Sequence, residues 1–204
     1  MPRQNRVTPF GELIATPARG TLMGNRGCLH DAGGRILRPY RVVRWIVCVL
    51  EFKGRRRSVM TPGHYTELFF LDEATALAAG HRPCFYCRRD DANRFRAAWE
   101  EGNGASGIHA PEIDAVLHRE RLDRGGKRLH PLPPAIDELP DGAMVQVDGF
   151  SFLIVQGGAL PWSMAGYGEA RAVPDGAVLL TPPSTVRALQ AGYRPVMHPS
   201  AVPT

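Results

Sequence analysis

The chain is poor in three things that would narrow its function quickly. It has four cysteines in 204 residues, too few for a disulfide framework to carry the fold. No apolar run approaches the ~20 residues a membrane-spanning helix needs, and the first residues, Met1 to Arg6, lack the apolar core of a secretory signal. A protein free in the cytoplasm, with no membrane partner, is the expectation. Lysine is almost missing: only Lys53 and Lys127 occur, so nearly all positive charge is guanidinium.

The charge is unevenly placed. Residues 1–60 carry twelve Arg or Lys against three acidic residues, a net of +9, while the remainder sums to −4. Arginine's planar fork suits phosphate and base-edge recognition. Arg41, Arg44, Arg55, Arg56 and Arg57 are the candidate nucleic-acid-binding residues, and DNA is the expected partner. An Arg-rich, Ala-rich and Gly-rich composition is also what a GC-rich coding sequence produces, so composition alone does not decide.

The hydrophobic content of 44% suffices for one ordinary domain or two small ones. The pattern predicts an α+β protein: a β-rich amino-terminal metal-binding unit with short helices over 1–100, a polar helical connector over 101–138, and a small β-barrel or meander over 139–204. Val42 to Phe52 reads as the clearest strand, Lys53 to Arg56 as a hairpin turn, and 57–60 as its return. Tyr65 to Leu71 reads as another strand. Asp72 then caps a helix over 73–79 that Gly80 stops. Apolar residues at helical spacing predict further helices over 88–101 and 111–124. Short strands are expected over 143–147, 150–155 and 177–180. Between the last two lies an aromatic and Gly-rich loop holding Trp162 and Tyr167, a candidate ligand loop or a plug for a barrel end. Ala188 to Pro195 echoes Ala76 to Pro83, both ending Gly-x-Arg-Pro.

The most specific motif is Cys84-Phe85-Tyr86-Cys87, set behind the Gly80-His81-Arg82-Pro83 turn. A CxxC brings two soft thiolates to one point, the way zinc knuckles are built. A thioredoxin-like dithiol would need a β-α-β context that is missing, since a helix precedes the motif as well as following it. The run of apolar strand, acidic helix start, Ala-Leu-Ala-Ala-Gly and Arg-Pro-Cys-x-x-Cys, over roughly 59–89, resembles the metal-binding domain of the Ada DNA-repair family. That resemblance implies a zinc fold in a DNA-repair or regulatory setting, with the CxxC as half of a four-cysteine site. The family's other half is an upstream Cys-x-x-x-Cys containing the methyl-accepting thiolate. No such motif exists here, so phosphotriester repair does not carry over.

Zinc in a structural site takes four ligands. Cys48 is the first further candidate, and hairpin register brings His64 near its level. Cys28 and His30 form the rival pair. Arg26, His30 and Asp31 make a weak nuclease-like group without an acidic metal cluster. The leading expectation is a zinc-stabilised, non-catalytic nucleic-acid-binding protein. The alternatives are a zinc-thiolate alkyl acceptor working through Cys48 and an interaction module using the Trp162 to Tyr167 loop.

Overall fold

The computed structural model describes residues 1–54, 58–133 and 139–201. Among the described residues, two large sheets, a two-stranded ribbon and four α-helices make a mixed α+β fold. The first sheet has the order β2(Leu13–Ala15)-β1(Gln4–Val7)-β5(Leu68–Phe70)-β3(Leu22–Asn25)-β4(Ile46–Cys48)-β6(Arg82–Pro83). The second has the order β12(Gly166–Tyr167)-β11(Gly158–Ser163)-β10(Phe150–Val155)-β9(Met144–Val147)-β13(Val178–Leu179). Its pairings are all antiparallel and its order is open, a meander with one added edge strand and no closure into a barrel among the described residues. A small ribbon joins β7(Leu122–Asp123) to β8(Gly126–Lys127).

Strand alternation gives the first sheet two unlike faces. Val7, Leu22, Val47, Leu68 and Phe70 point to one side and pack on Ala76 of helix α1(Glu73–Ala78) and on Ala79, the residue that caps its end. Arg6, Phe69, Met23, Asn25 and Ile46 point to the other and stay half-buried. That second face is the floor of a cleft.

Helix α1 is buried on every side. At its start Asp72 Oδ1 accepts from the Thr75 amide at 2.9 Å, as the cap position predicts. At its end Gly80, at φ 86°, takes the left-handed conformation that an L-residue with a Cβ resists. The carboxyl-terminal echo folds the same way. Gly80 and His81 amides donate to Leu77 and Ala76 carbonyls, and Gly192 and Tyr193 amides donate to Leu189 and Ala188 carbonyls after helix α4(Pro183–Gln190).

The segments 1–100, 101–138 and 139–204, expected as separate units, share one core. Leu77, Phe95 and Trp99 pack with Ile113 and Leu117, and all of these with Val145, Phe152 and Leu189. Helix α2(Arg89–Asn103) lies against α4, and α3(Ala110–Arg121) also meets α4 and runs on into β7. No described helix is long and apolar enough to cross a membrane.

The expected strand 42–52 shrinks to Ile46–Cys48, and among the described residues no hairpin folds it back onto the residues that follow. Both edges of β4 are taken, by β3 on one side and by parallel β6 on the other. Lys53 and Met60 adopt positive φ, outside extended strand geometry. The proposed turn and return strand fall partly on residues 55–57, outside the described residues.

Candidate metal centre and its cleft

Three sulfurs meet at the edge of the cleft floor. Parallel pairing sets Ile46 beside Arg82 and Val47 beside Pro83, so the next residues, Cys48 and Cys84, arrive together. The Cys84 amide donates to the Val47 carbonyl at 3.0 Å, locking that register. The CxxC turn then returns Cys87 to the same point. The sulfurs of Cys48, Cys84 and Cys87 lie within 4.8 Å of one another, with no further His, Cys, Asp or Glu in the group among the described residues.

The surroundings suit thiolates. The Tyr86 amide donates to Cys84 Sγ at 3.4 Å, the Cys87 amide points at the same sulfur, and the Val49 amide points at Cys87. Such N–H···S contacts spread negative charge and orient metal ligands. Helix α2 begins directly after the motif, so its amino-terminal dipole favours anions there. Without a metal the three groups hold their ionisation apart. Hydrogen bonds from Cys48 and then Cys87 pull the Cys84 thiol down to about 2. The hydrogen bond with Cys84, then that with Cys87 and burial, push Cys48 well above its ordinary value. For Cys87 the bond with Cys48 lowers, but the bond with Cys84 and burial outweigh it, and the balance is upward. A thiophilic cation binding all three as thiolates would displace the protons that the three close thiols still share. The residues therefore fit a metal ion.

The other predicted ligands lie elsewhere. His64 is exposed in a turn, its amide bonded to the Thr61 carbonyl at 3.1 Å, because the hairpin that would have raised it to Cys48 does not form. Cys28 directs its thiol to the His30 carbonyl at 3.7 Å, and His30 Nδ1 meets Thr66 Oγ1 at 2.6 Å. Asp31 is engaged by Arg35, so the nuclease-like group does not assemble.

The cleft encloses about 1190 Å³, and all three cysteines line it. Four of the aromatic rings that line it each have a cation over them. The Arg6 guanidinium lies 4.9 Å from the Phe69 centroid, Lys53 Nζ 5.3 Å from Phe52 and 5.9 Å from Tyr86, and the Arg82 guanidinium 5.3 Å from Phe85. Arg44 is exposed and lines the cleft, whereas Arg41 is exposed beside Gly27 without lining it. Arg55, Arg56 and Arg57 lie outside the described residues. At one end Asp114 of α3 receives both Arg82 Nε at 2.9 Å and Nη2 at 2.7 Å, a buried two-pronged pair that fastens α3 to the CxxC turn.

Two predicted groups prove to be internal. Tyr167 donates to Asp72 Oδ2 at 2.9 Å, and Trp162 Nε1 donates to Thr75 Oγ1 at 3.1 Å. The supposed loop is the β11–β12 hairpin, and its polar tips are spent on the start of α1. Arg26, counted among the sequence's basic residues, is 1% exposed. Its guanidinium and that of Arg121 both stack on Trp45, at 3.9 and 3.8 Å. Lys127 and Arg121 donate to the Ala78 and Gly80 carbonyls, so these cations serve the carboxyl end of α1. Burial, and then mutual repulsion, draw Arg26 down to about 9 and Lys127 to about 7.

The aromatic and cationic cleft was missed in the sequence because its rings, Phe52, Phe69, Phe85 and Tyr86, come from separate segments. Only Phe85 and Tyr86, inside the CxxC, gave a local signal. Comparison with protein-family models, with curated proteins and with solved structures finds no match.

Proposed function

We propose that the protein binds nucleic acid, DNA in the first instance, in the cleft over the open sheet face, with a zinc ion held by Cys48, Cys84 and Cys87 fixing the cleft's edge. The observation that carries this reading is that Phe52, Phe69, Phe85 and Tyr86 line one cleft together with the exposed Arg44, with the Arg6 guanidinium over Phe69 and Lys53 Nζ near Phe52 and Tyr86. Planar rings offer stacking platforms for unpaired bases, and guanidinium and ammonium groups beside them attract the phosphates between those bases. A half-buried, partly polar sheet face serves this better than a sealed core. The Ada-type resemblance of the CxxC segment points the same way. Arg44, at the mouth, is the exposed arginine best placed to meet a phosphate.

Fluorescence anisotropy with labelled single-stranded and duplex DNA tests the proposal. Affinity is expected to fall steeply with salt as counterion release loses its value. Tyr86→Ala is expected to weaken single-strand binding by roughly 5- to 150-fold, the equivalent of about 1–3 kcal/mol for one lost stacking platform. Absence of binding to either DNA at low ionic strength would end the proposal.

A further inference from the structure

A metal knuckle that serves structure alone is normally closed by four protein ligands, whereas a site that binds or transforms something keeps one position for it. Among the described residues the centre has three sulfurs and no fourth His, Cys, Asp or Glu. The remaining donors of the neighbourhood are committed. Asp114 gives both carboxylate oxygens to Arg82, and Glu67 Oε2 accepts from the Met60 amide at 2.7 Å. The centre is also not sealed: its sulfurs sit on the wall of the cleft, Cys87 is only half-buried, and Tyr86 within the motif is 53% exposed.

We propose that the metal is held by these three protein ligands only, and that its remaining position is filled by the molecule in the cleft, through a ring nitrogen of a nucleobase. This rests on the nucleic-acid reading above and gives it a specific anchor. A borderline-soft ion carrying three thiolates accepts an aromatic nitrogen well. Phe85 and Tyr86, held between the two motif cysteines, flank the ring that such a nitrogen belongs to. An unpaired base meets the metal at its edge and the aromatic rings at its face, while a base inside a duplex, with both faces stacked on its neighbours, cannot offer a face to the rings.

Replacing the native metal by cobalt(II) makes the coordination visible in the d–d bands of the full chain. Imidazole is the small probe, followed by deoxyguanosine monophosphate and a single-stranded oligonucleotide. The bands are expected to shift with all three, and the ligand-free spectrum to be the same in Cys28→Ser, His30→Ala and His64→Ala. Bands that ignore imidazole, or that change in one of those variants, show a fourth protein ligand and overturn the inference. A shift with imidazole but none with nucleotide or oligonucleotide, while anisotropy shows the oligonucleotide bound, refutes the nucleobase as ligand and leaves the nucleic-acid reading standing. Loss of oligonucleotide binding itself overturns that reading and the inference with it.

Discussion

Removing the carboxylate of Asp114 strands a buried charge at the edge of the metal centre. Arg82 and Asp114 are 4% and 6% exposed, and both guanidinium–carboxylate bonds are shorter than 3 Å. In Asp114→Ala the Arg82 guanidinium keeps one acceptor, the Pro83 carbonyl at 3.1 Å, and loses its counter-charge. Breaking one side of a buried ion pair costs about 3–5 kcal/mol. For a chain of 204 residues that corresponds to a fall in Tm of roughly 6–20 °C. The damage is also local, because Arg82 lies two residues before Cys84 and the pair ties α3 to that turn. Metal affinity is therefore expected to fall along with Tm. The double variant Arg82→Met with Asp114→Leu replaces the pair by apolar bulk and is expected to recover most of the loss, since the pair itself is close to neutral against hydrophobic substitutes. Thermal and urea unfolding of the three chains decide the matter. A loss below about 1 kcal/mol in Asp114→Ala would refute the reasoning, as that is the size of an exposed ion pair.

Two further outcomes follow from the buried helix. Lys127 falls from 10.5 in the unfolded chain to about 7 when folded, so the unfolded state binds the extra proton between those values and stability rises with pH across that window. The gain is on the order of 4 kcal/mol across the whole window, and urea unfolding from pH 7 to 10 should show a clearly shallower slope in Lys127→Met; an unchanged slope would exclude Lys127 as its source. Gly80→Ala would place a methyl 2.6 Å from Arg121 Cδ at a φ of 86°, so it is expected to cost about 1–3 kcal/mol of stability, read as a drop in urea midpoint, whereas Gly104→Ala, with nothing within 4 Å of the added carbon, should cost less.

What could be read from the sequence was local. The Asp72 cap, the Gly80 stop and the CxxC turn are each specified within a few residues, and all three fold as expected. The echo at Ala188 to Pro195 was visible for the same reason. Cys48 could be nominated by residue type and by its place in a strand, but the contact that brings it to the CxxC was not legible. Its true neighbour is Cys84, through a parallel pairing whose register no adjacent turn encodes. His64 depended wholly on the hairpin and left the site with it. The amino-terminal strands Gln4–Val7 and Leu13–Ala15 were overlooked because each is too short to display an alternation. Basic residues were legible as a count but not by placement: Arg26 and Arg121 flank a buried indole, and Arg44 lines the cleft.

Three sulfurs holding one metal at the cleft edge are the central feature of the proposed site. Elemental analysis of the purified protein, beside Cys48→Ser, Cys84→Ser and His64→Ala, tests this most directly. One zinc per chain in the unaltered protein and in His64→Ala, with loss or marked weakening in each cysteine variant, is the predicted result. A metal-free protein purified without chelators, or a Cys48→Ser chain that keeps its zinc undiminished, would contradict it.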